Sequence, residues 1–194
     1  MDIILASGSP RRSELMKQVG FDFKVSTCNT DESYDEGMTP SEIVMELSLR
    51  KADAVFDKEM PEKDTVVVAA DTIVAIDNEI LGKPKDRNDA IRMLSELSGK
   101  KHQVYTGITL YYYVAGRVFI ENFADCADVY FRELSQDTII SYVDSWEPMD
   151  KAGAYGIQGL GAILVDKIDG DYYTIVGLPI AKVYHSIKNN EKLG

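Results

Sequence analysis

The sequence has 194 residues, 45% hydrophobic and 27% charged, a composition suited to a soluble globular chain that buries roughly 70% of its unfolded surface. Its net charge of −11 argues against a nucleic-acid polymer as ligand, since that affinity rests on many phosphate contacts, yet it allows a small phosphorylated ligand in a locally basic pocket. No stretch approaches the roughly 18 uncharged apolar residues of a membrane-spanning helix, and Asp2 stands where a secretory leader would be basic, so a cytoplasmic setting away from membranes is expected.

In chain order, Ile3-Ile4-Leu5-Ala6 is a short apolar run suited to a buried strand, and Ser7-Gly8-Ser9 breaks it. Ser9 is a plausible helix N-cap with Pro10 at the first helical position, and the helix should carry Leu15, Met16 and Val19 inward and stop at Gly20. Phe21, Phe23 and Val25 alternate with polar residues and predict a half-buried strand. Thr39-Pro40-Ser41-Glu42 is a capping box, opening a helix whose inner face includes Ile43, Leu47, Ala54 and Val55 and which ends near Pro61. Thr65 to Ala70 is a β-branched and small apolar run, expected to be a strand buried on both faces and to end at Asp71-Thr72.

Residues Ile73 to Ile80 read as a hairpin turning at Asp77-Asn78, and a helix capped by Asp86 or Asn88 runs to Ser98. Strands are expected from His102 to Val114 and from Val118 to Phe131, around a turn at Ala115-Gly116. Ser135 caps a helix over Ile139 to Trp146, the stretch Glu147 to Gly161 is rich in glycine, and Asp169-Gly170 marks one more hairpin. Pro179 starts a terminal helix. Strands and helices mix without strict alternation, so the expected fold is α/β around a mixed sheet, in one domain over residues 1–194. Cys28 and Cys126 have no motif spacing and read as reduced packing residues.

Four segments have the chemistry of a phosphate site. In Ser7-Gly8-Ser9-Pro10-Arg11-Arg12 a strand feeds a tight loop and a helix N-terminus, a natural anion site. Paired arginines add forked donors suited to phosphate oxygens. An isolated pair is more often solvated surface, but arginine near a helix start opposes the dipole, a conflict that a bound anion removes. Asp71 at a strand end could serve as general base or metal ligand, or merely cap a turn. Lys51, Lys83 and Lys151 are isolated cations, of which Lys83 sits in the rigid Gly82-Lys83-Pro84 loop. The small residues from Ala152 to Gly159 allow close backbone approach, and Gln158 offers both donor and acceptor to a base edge, although a plain glycine-rich turn looks the same. No P-loop, dinucleotide fingerprint or HExxH motif occurs. His102 and His185 read as structural or surface residues, and Tyr111-Tyr112-Tyr113 as sheet packing, since neighbours in a strand face opposite ways.

Together the segments resemble the Maf family of nucleotide pyrophosphatases. The resemblance rests on Leu5 to Arg12, Ala69 to Thr72, Leu81 to Pro84, Ser98-Gly99 through His102 to Thr106-Gly107, and Glu147-Pro148 through Gly159, all in the family's order across almost the whole chain. It implies a two-lobed mixed-sheet fold like the inosine-triphosphate pyrophosphatases, with the active-site cleft between lobes, a homodimer, and a divalent cation (Mg2+ or Mn2+). By motif position it implies Asp71 as the proton acceptor that activates water, with Asp71 and Glu32 as candidate metal ligands. Arg11, Thr72 and Gln158 fall at positions associated with substrate choice, while Ser7, Arg12, Glu32, Lys51 and Lys83 fall where the family keeps polar cleft residues. Gly156-Ile157-Gln158-Gly159 looks like the subgroup that acts on dTTP and UTP, which makes a pyrimidine nucleoside triphosphate the expected substrate and its monophosphate and pyrophosphate the products. The rival expectations are a pyrophosphatase for 7-methyl-GTP or modified purines, and a non-catalytic nucleotide-binding regulator of cell division.

Overall fold

The computed structural model describes residues 1–77 and 79–190. Its elements are β1 (Asp2–Leu5), α1 (Pro10–Gln18), β2 (Lys24–Val25), α2 (Pro40–Glu59), β3 (Thr65–Ile76), β4 (Glu79–Leu81), α3 (Arg87–Leu97), β5 (Lys101–Val114), β6 (Arg117–Phe131), α4 (Gln136–Val143), β7 (Val165–Asp169), α5 (Tyr172–Val176) and α6 (Ile180–Asn190). Short 3-10 turns fill the glycine-rich stretch between α4 and β7. Hydrogen-bonded strand neighbours run β2-β1-β3-β5-β6-β7, with β4 pairing β3. Because β1 is parallel to β2 and β3 while β4 and β7 are antiparallel to their partners, the sheet is mixed, as expected. No described helix is long and apolar enough to cross a membrane.

Contacts divide the chain into two compact units, one of Met1–Asp71, Thr106–Asp125 and Gly177–Gly194, the other of Thr72–Tyr105 and Cys126–Val176. In the first, β1 and β3 pair in parallel from Asp2↔Thr65 to Leu5↔Val68. Val66 to Ala70 is fully buried, which explains its unbroken apolar run. Thr39 caps α2 with both arms of the capping box, its hydroxyl accepting from the Glu42 N–H at 3.3 Å and its own N–H donating to the Glu42 carboxylate at 2.7 Å. One helix turn further, α2 comes against β5 so closely that a Cβ on Gly107 would lie 2.1 Å from the Val44 carbonyl oxygen. Tyr112 is buried, stacks on Phe119 at 4.6 Å and bonds Ser186, while Tyr111 and Tyr113 meet Phe56 instead. The tyrosine triplet is therefore sheet packing, as the alternation of a strand requires.

In the second unit, Leu94 and Leu97 of α3, Val104 of β5, Val129 and Phe131 of β6, Ile139 and Val143 of α4, and Leu164 form one core. Each such side chain contributes about 1.5–3 kcal/mol by leaving water.

Several elements depart from the sequence expectations. β3 does not end at Asp71-Thr72 but continues to Ile76, because Ile73 to Ile76 supply another buried apolar run; Asp71 and Thr72 are its two half-buried positions. The Phe21–Val25 alternation yields only a two-residue strand, with Phe21 buried and Val25 49% exposed. Ala52 rather than Ala54 reaches the core from α2. Helix α4 ends at Val143, and Trp146 follows it in a left-handed conformation at φ 63°. Gly170 leads into α5 rather than a hairpin, because the Asp171 carboxylate and carbonyl accept the Tyr173 and Thr174 N–H groups and start a helical turn. β3 and β4 do form the expected hairpin, with Ile76 opposite Glu79 and Asp77 at φ 48°; Asn78 lies outside the described residues.

Candidate active site

β1 delivers the chain to Ser7, which is buried and whose Oγ accepts from the Ser9 N–H at 3.2 Å and from Arg12 Nη1 at 3.1 Å. The Arg12 Nε donates to the Gly177 carbonyl at 2.8 Å, so this guanidinium is held from two sides. Ser9 occupies the N-cap position of α1 without a side-chain cap bond, and no acidic residue lies in the first turn. The helix start thus presents positive charge on positive dipole, the condition that favours an anion. Burial lowers the pKa of Arg12 from its ordinary value, a shift that Asp71 opposes and Arg11 reinforces. A phosphate beside both arginines would relieve that conflict.

Lys51 extends from α2, and its Nζ bonds Asp71 Oδ1 at 2.6 Å and Glu32 Oε1 at 3.0 Å. The Asp71 side chain is only 13% exposed whereas that of Glu32 is 64% exposed, so one ammonium ties an inner to an outer carboxylate. The placement of Lys51 is fixed by the seat of α2. Ser48, one turn before it, bonds Thr109 at 2.9 Å, and Asn122 donates to the Met45 carbonyl at 3.0 Å and to Thr109 at 2.8 Å. Gly107 supplies the close approach that these bonds need. The first unit therefore gathers Ser7, Arg11, Arg12, Glu32, Lys51 and Asp71.

Thr72, Lys83 and Gln158 belong to the second unit. Thr72 follows Asp71 directly in β3 and is half-buried. Lys83 is exposed, and the Gly82 carbonyl before it accepts the Gly153 N–H at 3.0 Å, which ties the Lys83 loop to the glycine-rich segment. Gln158 is exposed at the N-cap position of the 3-10 turn Gly159–Ile163. Lys151 behaves differently from the isolated cation of its sequence context: its ammonium bonds the Glu147 carbonyl and the Asp150 carboxylate within its own loop.

Sequence patterns did not single out Tyr142, and they placed Glu147 only at the head of a matching segment, with no role. The Glu147 carboxylate accepts from the Leu160 N–H at 3.0 Å, the Gly161 N–H at 3.1 Å and the Tyr142 hydroxyl at 3.0 Å. That hydroxyl in turn accepts the Gly156 N–H at 3.0 Å. Burial pushes the Glu147 carboxyl up, but the Leu160 and Gly161 donors, Tyr142 and Lys151 outweigh it and leave the pKa below the ordinary value. The available signal was Glu147 at the head of the Glu147–Gly159 segment, ahead of a glycine-rich run; nothing marked Tyr142.

A family model described as Maf-like protein matches residues 2–190. A dTTP/UTP pyrophosphatase of Acetivibrio thermocellus is 48% identical, covering 96% of this chain and 94% of its own. Those of Bacillus velezensis and Aquifex aeolicus are 47% and 46% identical, covering 96% and 97% of this chain and 95% of their own in both cases. Among solved structures, a nucleoside-triphosphatase / dITP/XTP pyrophosphatase of Mycobacterium abscessus superposes with a TM-score of 0.46 at 12% identity, covering 100% of this chain and 96% of that one. Likeness that slight carries no inference about this chain.

Proposed function

The chain belongs to the Maf-like protein family, and we propose on that footing that it is a pyrophosphatase hydrolysing dTTP and UTP to the monophosphate and pyrophosphate. The names of its relatives support the substrate class. The observation that carries the chemistry is the Lys51 ammonium bound to both Asp71 and Glu32, in the unit where Arg12 feels the charge of Asp71.

Asp71 is the general base. Lys51 bonds its Oδ1, and the carboxylate takes the proton of the water that attacks the α-phosphorus. The bond from that phosphorus to the bridging oxygen then breaks, and pyrophosphate leaves. Arg11 and Arg12 neutralise phosphate charge at the start of α1, and Ser7 keeps the Arg12 guanidinium aimed. The family resemblance extends the proposal to Lys83 as a phosphate cation, to Gln158 as a reader of the pyrimidine edge through its amide, and to Thr72 as a residue of substrate choice. Positioning and charge neutralisation supply most of the acceleration.

Among the described residues no three His, Cys, Asp or Glu side chains group as a metal site. Mg2+ is commonly held by only one or two carboxylates plus substrate phosphates, so Asp71 and Glu32, which already meet one cation in the Lys51 ammonium, are donors enough and would be its protein ligands in competition with that ammonium. When bound, it would neutralise charge on the leaving pyrophosphate. The proposal extends, from the family resemblance, to a homodimer in the cytoplasm.

Pyrophosphate release from a panel of pyrimidine, purine and 7-methylated triphosphates, with Mg2+ or Mn2+, tests the assignment beside an Asp71→Asn variant. Turnover of dTTP and UTP that the variant lacks is expected. Turnover of 7-methyl-GTP alone, or an active variant, would overturn the substrate or the base respectively.

A further inference from the structure

Three glycines surround Gln158, at 156, 159 and 161, and glycine gives up more backbone freedom on ordering than any other residue. Left to itself such a segment would not hold an amide in one place. Gln158 cannot fix itself, since its side chain makes no cap bond to the turn it opens. The order comes from outside the loop. On the near side of Gln158, the Tyr142 hydroxyl accepts the Gly156 N–H; on the far side, the two Glu147 oxygens accept the N–H groups of Leu160 and Gly161. A single hydrogen bond from Tyr142 to Glu147 joins the two grips.

The glycines are shaped to the same device. A Cβ on Gly159, which has φ +64°, would lie 2.7 Å from Glu147 Oε2. One on Gly161 would lie 2.0 Å from the Gly156 carbonyl and 2.9 Å from the Tyr142 hydroxyl, and one on Gly156 would lie 2.8 Å from Cε of Lys151. Lys151 itself is turned back onto the Glu147 carbonyl, closing the base of the loop. Gly159 and Gly161 leave no room for a side chain, the first against the Glu147 carboxylate and the second against the Gly156 carbonyl.

We propose that Tyr142 and Glu147 are the positioning residues for Gln158, clamping the backbone on both sides of it so that the preference for pyrimidine nucleotides depends on the clamp as well as on the amide. This rests on the assignment of Gln158 to the base edge. Together Tyr142 and Glu147 convert a flexible glycine-rich loop into a fixed reading head, and their loss acts on recognition rather than on the chemistry at Asp71.

The test pairs two measurements on Tyr142→Phe, Glu147→Gln, Glu147→Ala and, as reference, Gln158→Ala. Amide exchange is followed at Gly156, Leu160 and Gly161, and kcat and KM are determined for dTTP, UTP and, as a purine, dGTP. Loss of a hydrogen bond to a charged or fixed partner should speed local exchange about tenfold, at Gly156 in the first variant and, in the second, at whichever of Leu160 and Gly161 faces the new amide nitrogen. Protection in α3 and β5 should stay unchanged. KM for dTTP and UTP should rise by about tenfold, with kcat lowered far less, and Glu147→Gln, which keeps one carbonyl acceptor, should lose less than Glu147→Ala. Unchanged exchange at the three amides would overturn the clamp. Faster exchange with unaltered KM values would overturn its role in recognition, and loss of protection throughout α3 and β5 would make the pair a general folding element instead. If Gln158→Ala keeps the wild-type preference, the base-edge assignment fails on its own, whatever the exchange data show.

Discussion

His102 should make the protein sensitive to mild acid. The ring is 1% exposed, lies edge-on to Phe131 and Tyr155 at 4.9 and 5.4 Å, and shares a 2.8 Å hydrogen bond between Nε2 and the Tyr155 hydroxyl. Its Nδ1 is buried and has no partner among the described residues, so a proton added there would be a charge with nothing to receive it. Burial accordingly lowers the pKa from 6.5 to about 4, with Asp128 countering part of the effect. The folded state binds this proton less readily than the unfolded one, so stability is complete above pH 6.5 and declines as the pH falls toward 4. At about 1.4 kcal/mol per pH unit, the full loss is about 3 kcal/mol, of which about 2 kcal/mol is gone by pH 5. That is a sizeable fraction of the roughly 5–15 kcal/mol that holds a domain folded. Urea unfolding of the wild type and of His102→Gln, at a series of pH values between 7.5 and 4.5, checks the argument. The variant should be less stable at pH 7.5 yet show a curve flatter by about 2 kcal/mol down to pH 5. Parallel curves would refute the assignment of the acid loss to His102.

Two further substitutions probe the first unit. Lys51→Gln removes the ammonium that holds Asp71 and Glu32; kcat should fall about a hundredfold, the usual effect of losing one preorganised charge. Its thermal midpoint should stay within a few degrees, and a fall in midpoint that accounts for the lost activity would contradict the electrostatic role. Gly107→Ala drives a methyl group into the Val44 carbonyl, so α2 must shift. Destabilisation of about 1–3 kcal/mol in urea and a lower kcat are expected together, and an unaltered kcat would show that the seat of α2 does not govern Lys51.

Where the sequence was legible, a short-range rule decided the structure. Thr39 and Glu42 form their capping box because both partners lie within one turn, and Val66 to Ala70 are buried because nothing in the run is polar. Ser7, Arg12, Glu32, Lys51 and Asp71 come together in the first unit, but only β1, α2 and β3 jointly bring them there, and no spacing between them encodes the two bonds of Lys51. The reach of β3 past Asp71-Thr72 was missed because two polar residues look like a strand end when the pairing strands are unknown. Tyr142, and the role of Glu147, were hidden for a different reason. Their partners are backbone N–H groups up to 14 residues away, and backbone donors leave no mark in a sequence. Lys151 shows the converse, an apparently free cation that its own loop consumes.

Hydrolysis at the α-phosphorus by a water that Asp71 deprotonates is tested most directly by the fate of heavy-oxygen water during turnover of dTTP. Mass spectrometry of the products should find the label in the thymidine monophosphate, none in the pyrophosphate, and no turnover by Asp71→Asn. Label in pyrophosphate, or in released inorganic phosphate, would place the attack on another phosphorus and contradict the account.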